Sequence, residues 1–281
     1  GRADLARLMV DRPVLFAPER EDQEPGQPVL VVEGVSAQND KGLPALRNIS
    51  FEVRAGEVLG LAGVAGNGQR ELAEVITGLR RVTGGRVLLD GQNVTNRPPR
   101  RSLDLGLSHV PEDRVHVGLI ANMTVSDNLI LKEYRRPPLS QAGFLVRKAI
   151  ARFAGRLIED YHIDTPGAGY QMKGLSGGNL QKALLAREIS GVPRAMIAMQ
   201  PTRGLDVGAI EGVHHLLLDL RKSGAAVLLV SEELEEITSL SDRIAVIYEG
   251  RIMGTMPGRD ANLEKIGLMM TGTPVPEASA G

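Results

Sequence analysis

The stretch Val58-Leu-Gly-Leu-Ala-Gly-Val-Ala-Gly-Asn-Gly-Gln-Arg70 decides the fold class. Its first five residues, Val58–Ala62, form an apolar run that predicts a β-strand. A helix is predicted from Gln69 to Thr77, and Gly78 is placed to end it as a C′ glycine. Between strand and helix the glycines have G-x-x-x-x-G spacing, which suits a backbone loop that wraps phosphate oxygens with N–H groups. The candidate nucleotide-binding residues are Gly63, Val64, Ala65, Gly66, Asn67, Gly68, Gln69, Arg70 and Glu71.

The loop alone does not separate phosphate binding from an ordinary glycine-rich turn in an α/β protein. A working phosphate loop has Lys and then Ser or Thr after the last glycine. Gln69 supplies no point charge for the β- and γ-phosphates, and Arg70 has no hydroxyl for Mg²⁺.

The rest of the chain shows strands of two kinds. Residues 29–33, 49–53 and 86–89 are short β-rich runs separated by turn residues. Ala195–Met199 and Ala226–Val230 are continuous apolar runs, which is typical of central parallel strands covered on both faces. A helix predicted at 209–222 lies between these two runs, so strand–helix–strand order repeats. Together the patterns predict an α/β protein.

Composition excludes several classes of protein. The 281 residues include 33 Lys and Arg against 34 Asp and Glu, so no strong basic excess favours nucleic acid. The absence of Cys excludes disulfides, thiolate catalysis and cysteine-based metal sites. The longest apolar runs, such as 225–230, are far shorter than the roughly 18–20 residues that span a bilayer.

A second motif, Leu175-Ser-Gly-Gly-Asn-Leu-Gln-Lys182, precedes Pro201-Thr-Arg-Gly-Leu-Asp206. Ser176 is placed as the N-cap of a helix that extends to about Ser190. The two glycines after it allow a ligand to approach the helix N-terminus, where anions bind. A plain Ser-Gly-Gly turn remains the alternative for the tripeptide, but it does not account for both motifs together.

The order of these motifs resembles the nucleotide-binding domain of ATP-binding-cassette (ABC) transporters. The resemblance covers residues 29–273 and implies a mainly parallel sheet of the P-loop NTPase type flanked by helices. It also implies an antiparallel β subdomain and a helical subdomain at about 120–174. Residues 1–28 resemble the end of a preceding cassette with a linker, and 274–281 form a polar tail.

Finer features resemble the second cassette of importers for simple sugars and nucleosides. They are Pro111-Glu-Asp-Arg114, Gly66-Asn-Gly-Gln69 and Gln200-Pro-Thr-Arg-Gly-Leu-Asp-Val-Gly-Ala-Ile-Glu211. In that family two cassettes pack head to tail, and each ATP lies between the P-loop of one and the signature helix of the other. The resemblance implies that the residues facing the partner's ATP are Leu175, Ser176, Gly177, Gly178, Asn179, Gln181 and Asp206.

The chain departs from the family at nearly every hydrolytic position. Met199 replaces the Asp that would hold the Mg²⁺ shell, and Gln200 replaces the general base. Glu112 stands for the Gln of the Q-loop, and Glu232 for the switch His. We expect weak or regulatory ATP binding, no Mg²⁺ site and no hydrolysis in this half. The degenerate positions are Gln69, Arg70, Glu112, Met199, Gln200 and Glu232.

The implied partners are a first cassette, in the same or another subunit, and an integral-membrane permease. The permease would dock on residues 112–119 and the helical subdomain, so we expect a peripheral protein on the cytoplasmic face of the inner membrane. No direct contact with solute or nucleic acid is expected. Two alternatives stay open. One is a self-sufficient ATPase compensated by Arg70 and partner residues, and the other is a non-transport cassette acting on ribosomes or DNA.

Two minor predictions concern charged side chains outside the motifs. Of His214 and His215 on the 209–222 helix, one is expected to be packed and the other exposed. The adjacent Asp242 and Arg243 are expected to form a local ion pair or a helix cap.

Overall fold

The computed structural model describes residues 21–273. Residues 1–20 and 274–281 lie outside the described residues, and so does most of the predicted preceding cassette and linker. The strands are β1 (Pro28–Gln38), β2 (Pro44–Arg54), β3 (Val58–Ala62), β4 (Gly84–Leu89), β5 (Gln92–Asn93), β6 (Leu107–Val110), β7 (Ser140–Gln141), β8 (Phe144–Leu145), β9 (Ala195–Met199), β10 (Ala226–Ser231), β11 (Arg243–Tyr248) and β12 (Arg251–Pro257).

Helices are present where the sequence predicts them, after the glycine loop, after Ser176 and at 209–222. The helix that follows the glycine loop spans Gln69–Thr77, as predicted, and ends at Gly78 in a left-handed conformation. The α-helices are α1 (Gln69–Thr77), α2 (Pro99–Asp104), α3 (Val125–Leu129), α4 (Arg147–Asp160), α5 (Gly177–Ile189), α6 (Val207–Lys222), α7 (Leu234–Leu240) and α8 (Leu263–Met270). A π-helical turn spans Arg114–Gly118, and short 3₁₀ turns span Met172–Gly174 and Gly258–Asp260.

The largest sheet has the order β12-β11-β3-β10-β9-β6. Within it, β3 pairs in parallel with β10 and β11, and β10 pairs in parallel with β9. Strand β12 is antiparallel to β11, and the two strands form a hairpin through Glu249-Gly250. Every residue of β3, β9 and β10 is buried, which explains why their sequences are continuously apolar. The predicted α/β fold class is confirmed.

A second sheet, of order β2-β1-β4-β5, is antiparallel. Both β1 and β2 extend well beyond the runs 29–33 and 49–53 that the sequence predicts. The pairing of β1 shifts register between Val32 and Val35, where Gly34 has φ +61°. A bulge of this kind lets the strand continue past a residue that normally ends one.

The described chain divides into two compact units. One contains residues 110–193 and 201–213, and the other contains residues 21–109, 194–200 and 214–273. In the second unit the buried face of α1, including Leu72 and Ile76, joins one apolar core with strands of both sheets. In the first unit Ile130, Leu139, Ala149 and Ile150 form a smaller core. Between residues 21 and 273 the structure contains no helix whose length and hydropathy would let it cross a bilayer.

The histidine prediction is confirmed, and the prediction for Asp242 and Arg243 is wrong. His214 is buried with its Nε2 3.1 Å from Glu236 Oε1, whereas His215 is exposed. Asp242 pairs with Arg221, at 2.8 Å from both Nε and Nη2, and also accepts a hydrogen bond from the Val58 amide. Arg243, the first residue of β11, instead donates from Nη1 to Glu57 Oε1 at 2.8 Å.

Replacing Arg221 with Ala should lower the free energy of unfolding by about 3 kcal/mol, because Asp242 would keep a half-buried charge without its cation. The Arg221 side chain is only 3% exposed. The exposed pair of Arg54 and Glu52 is the matched control, and Arg54→Ala should cost less than about 1 kcal/mol. Denaturant unfolding measures both values. Equal losses for the two variants would contradict this assignment.

Candidate nucleotide site and partner-facing surface

The carboxyl ends of three neighbouring parallel strands form the candidate nucleotide site. Strands β3, β10 and β9 lie side by side, with Ala62 opposite Ser231 and Val230 opposite Met199. The segments that follow these strands therefore emerge at the same edge of the sheet, where ligands of open α/β sheets bind. They are the glycine loop after Ala62, the Glu232 segment and the Gln200 segment.

The glycine loop has the backbone shape that phosphate binding needs. Val64, Ala65 and Gly66 are exposed at its tip. Gly68 begins α1 with φ +105°, and a Cβ on it would lie 2.9 Å from the Ala45 carbonyl oxygen, so only glycine fits there. No side chain caps this helix start, which leaves the N–H groups of the first turn open to an anion.

Gln69 closes the loop on itself. Its Nε2 donates a 3.0 Å hydrogen bond to the Val64 carbonyl oxygen, and its side chain is buried. A Cβ on Gly63 would lie 2.6 Å from the same Nε2. The amide therefore crosses the space between the two ends of the loop. A neutral amide held there supplies no positive charge to phosphates.

Asn67 fixes the loop to the β11–β12 turn. Its side-chain oxygen accepts from the Glu249 amide at 2.8 Å, and its carbonyl oxygen accepts from the Gly250 amide at 2.9 Å. Its Nδ2 also donates to the Val64 carbonyl oxygen at 2.9 Å. The sequence identifies Asn67 as a loop residue but does not indicate this attachment.

Arg70 is directed along the helix surface rather than into the loop. Its Nε donates to Glu74 at 2.8 Å in an i, i+4 pair, and its Nη2 lies 4.0 Å from Asp40. The hydrogen bond to Glu74 raises the pKa of Arg70 above its usual value. In this arrangement both nearby acids compete with any phosphate for the guanidinium.

The residues present do not fit a magnesium ion. Met199 is buried at the end of β9 and offers a thioether instead of the oxygen ligands that Mg²⁺ prefers. Gln200 has φ +46°, its amide donates to the Val230 carbonyl oxygen, and its Oε1 accepts from the Glu232 amide at 3.4 Å. Among residues 21–273 no three His, Asp or Glu side chains are grouped as a metal site.

The signature motif, in the other unit, begins helix α5 as predicted. Ser176 is exposed and is the N-cap, with its Oγ accepting from the Asn179 amide at 3.4 Å and from Asn179 Nδ2 at 3.1 Å. Asn179 in turn accepts from the Asp164 amide through its side-chain oxygen. Leu175, Gly177 and Gly178 are partly exposed beside Ser176, whereas Gln181 lies on the buried face of the helix.

The Asp206 loop lies directly against this helix start. Asp206 is exposed and caps α6 by accepting from the Ala209 amide at 2.9 Å. A Cβ on Gly178 would lie 3.3 Å from Ala209 Cβ and 3.9 Å from Asp206 Oδ2. The structure therefore brings Ser176, Gly178 and Asp206 into one surface, which the sequence predicts only by resemblance.

Glu112 forms an ion pair with the side chain of Arg203, and Arg114 donates from Nη1 to the Arg203 carbonyl oxygen at 2.9 Å. Sequence reasoning places Glu112 at a degenerate position but misses both contacts. All three residues lie inside motifs that the sequence analysis names, and this is the only signal in the sequence that points to them. Burial of Arg114 lowers its pKa below the usual value for arginine.

A family model described as ABC transporter matches residues 46–203, more than half of the chain. The chain belongs to the ABC transporter family. This chain is 44% identical over 275 residues to the guanosine import ATP-binding protein of Bacillus subtilis. The alignment covers 98% of this chain and 54% of that protein. The chain is 47% identical over 285 residues to the glucose import ATP-binding protein of Haloferax volcanii, with 100% and 52% coverage.

The cassette spans about half the length of the curated relatives that it matches. Two solved structures support the fold alone. A dimeric cassette in a post-hydrolysis state bound to ADP and phosphate superimposes with a TM-score of 0.71 at 21% identity, covering 83% of this chain and 100% of that one. A nucleotide-free cassette gives a TM-score of 0.69 at 22% identity, covering 83% and 92%. The predicted ABC cassette fold is confirmed.

Proposed function

We propose that this cassette is the second, degenerate half of an importer ATPase for simple sugars or nucleosides. It completes the ATP site of a partner cassette and couples that site to a membrane permease. The observation that carries the proposal is the contrast between the two surfaces. At the glycine loop Gln69 supplies only a neutral amide that bonds to Val64, whereas Ser176 is exposed at the start of its helix.

The Ser176 surface suits an anion presented by another molecule. The N-terminus of α5 carries a partial positive charge, and α5 is long enough, at 13 residues, for its peptide dipoles to align. Gly177 and Gly178 keep bulk away from the first turn. The names of the relatives, which are import ATP-binding proteins, support the importer class.

The nucleotide site of this cassette lacks the means for hydrolysis. Phosphoryl transfer depends on positioning and on neutralising charge, and neither Gln69 nor Met199 neutralises any. General-base catalysis is typically worth 10²–10⁴-fold, and the Gln200 amide cannot provide it. The backbone N–H groups of the loop remain, so we propose weak, magnesium-independent ATP binding with a regulatory role.

The permease would dock on the first unit. Its π-helical turn exposes Val115 and Val117, and Ile120 is exposed two residues after the turn; Val117 is 67% exposed. A cavity of about 570 Å³ lies in the same unit. Its lining combines apolar and basic side chains, which include Arg136, Leu139, Ala149, Arg152, Phe153 and Arg156. Docking there would place the cassette, as a peripheral protein, on the cytoplasmic face of the membrane. Contact with the solute or with nucleic acid is not part of the proposal.

Phosphate release from Mg·ATP tests this function. The cassette alone should release phosphate no faster than a blank, because its own site lacks the charge and the base. Addition of the first cassette of the same transporter should raise turnover about tenfold or more above that of either cassette alone. Turnover by the cassette alone that Arg70→Ala abolishes would instead establish the self-sufficient ATPase.

A further inference from the structure

The segment 134–156, in the first unit, carries six cations and no carboxylate, whereas the whole chain has a formal net charge of −1. The acid that precedes the segment, Glu133, pairs with Arg136 at 3.0 Å. No carboxylate between residues 21 and 273 forms an ion pair with Arg147, Lys148 or Arg152. All six cations are exposed, and they are Arg135, Arg136, Arg147, Lys148, Arg152 and Arg156. Positive charge is therefore concentrated in a short part of this unit.

The fold places several of these cations together. Lys148, Arg152 and Arg156 follow one another at i, i+4 spacing along α4 and so share one face of that helix. Arg152 and Arg156 line the cavity of about 570 Å³ together with Arg136 from the preceding loop. The β7–β8 hairpin ends at Leu145, two residues before α4 begins. We call residues 134–156 the basic hairpin surface.

Two of the cations do not stabilise their own helix. Arg147 and Lys148 lie in the first turn of α4, which has no acidic residue and no side-chain cap. Positive charge in this turn opposes the helix dipole, so it is unfavourable within the chain and favourable beside an external anion.

The hairpin also exposes large apolar side chains beside these charges. Phe144 is 79% exposed, the highest value among the large hydrophobic side chains of residues 21–273, and Leu145 is 48% exposed. Tyr134 is exposed as well, and its hydroxyl accepts from Arg135 Nε at 2.9 Å. Removing an aromatic ring and a leucine from water is favourable, so a surface of this kind indicates a binding site. Aromatic and apolar side chains next to Lys and Arg are typical of the interface between lipid headgroups and acyl chains.

We infer that the basic hairpin surface binds the surface of an anionic phospholipid bilayer. Its cations contact the phosphate and carboxylate groups of the lipids, while Phe144 and Leu145 enter the interface above the acyl chains. The cations alone would also suit a nucleic acid, but an aliphatic side chain gains nothing from base stacking. Leu145 beside Phe144 therefore favours the bilayer. The inference goes beyond the proposed function and involves neither ATP nor the permease.

Flotation of the full chain with large unilamellar vesicles tests the role of charge. The partition coefficient should be at least about 20-fold higher for phosphatidylcholine vesicles with about 30% phosphatidylserine than for pure phosphatidylcholine. Arg147→Gln combined with Lys148→Gln should lower it about 20-fold on the anionic vesicles, since each cation near the surface contributes about fivefold. The control, Arg251→Gln combined with Arg259→Gln, removes the same charge from exposed positions of the other unit and should change it less than about twofold.

Insertion of the hairpin tip can be followed directly because the sequence contains no Trp. The single indole of Phe144→Trp should shift its emission to shorter wavelengths on anionic vesicles, and brominated acyl chains should quench it. Leu79→Trp, at a position 62% exposed in the other unit, should show neither effect.

The apolar pair should contribute to binding as well as to the emission shift. Phe144→Ser combined with Leu145→Ser should lower the partition coefficient about tenfold, and the exposed control pair Leu43→Ser with Leu79→Ser less than about twofold. The melting temperatures of all these variants should stay within about 2 °C of the parent, because the substituted side chains are exposed.

Three results would overturn the inference. The first is equal binding to anionic and neutral vesicles, or equal losses in a surface variant and its control. The second is displacement of the chain from anionic vesicles by soluble glycerophosphoserine at the same headgroup concentration, which would assign the site to a free anion. The third is tighter binding to a single-stranded RNA than to anionic vesicles, with no shift in the indole emission on the vesicles.

Discussion

Replacing Gly177 with Asp is expected to lower ATP turnover of the assembled two-cassette transporter about 100-fold or more. The first turn of α5 presents N–H groups and a partial positive charge at this position. A carboxylate there would meet the phosphates of the partner's ATP at close range and repel them. The loss should appear in the rate of phosphate release at saturating Mg·ATP.

The substitution should not disturb folding, which keeps the result interpretable. An acidic residue in the first turn of a helix is favourable for the helix itself. The site has room for a Cβ, because Arg114 Nη2 lies at an ordinary van der Waals distance of 3.7 Å. Gly177→Ala is the matched control and should cost less than about tenfold. Equal turnover of the Asp and Ala variants would show that this surface does not face a nucleotide.

Restoring three side chains in the other site should create a magnesium requirement. In the triple variant Gln69→Lys, Arg70→Ser and Met199→Asp, ATP should bind about 100-fold more tightly with Mg²⁺ than with a chelator. The introduced lysine would replace the amide that now bonds to Val64 with a charge for the phosphates. The introduced serine and aspartate would supply the oxygen ligands that Mg²⁺ prefers. Calorimetric titration measures the ratio.

Two further measurements control the result for the triple variant. Met199 is 4% exposed, so an aspartate in its place should lower the melting temperature until Mg·ATP is added. Gln69→Ala removes the bond to Val64 without adding charge, and it should change ATP affinity less than about threefold. If Gln69→Ala alone tightened binding as much as the triple variant, the amide bond rather than the missing charge would be the main obstacle.

The sequence predicts the elements that are defined by local signals. Val58–Ala62 is a continuous apolar run and Gln69–Thr77 ends at a glycine with φ +80°, so both sets of bounds are confirmed. The sequence predicts too short a strand β1 because its continuation depends on pairing with β2 and β4, which a local pattern does not contain. The register shift at Gly34 is stabilised by the neighbouring strands and not by the residue itself.

The candidate sites likewise combine features that the sequence predicts with contacts that it does not. The residue types Gln69, Met199 and Gln200 are read directly from the sequence, and the prediction that they do not hold Mg²⁺ follows from side-chain chemistry. The bond from Gln69 to Val64 and the contacts of Arg114 depend on how the loops fold in space. Sequence reasoning misses the Arg114 contact because segments 89 residues apart have no local signature. It misses the Gln69 bond, although the two residues are five apart, because the direction of that side chain depends on the folded loop.

Calorimetric titration of the unaltered cassette with ATP, with and without Mg²⁺ and with phosphate release followed in parallel, tests the central claim most directly. We predict weak binding whose affinity changes less than about threefold with Mg²⁺, and phosphate release at the level of a blank. Tight binding that requires Mg²⁺ and proceeds to phosphate release would contradict the claim that this half lends a surface to its partner without hydrolysing ATP itself.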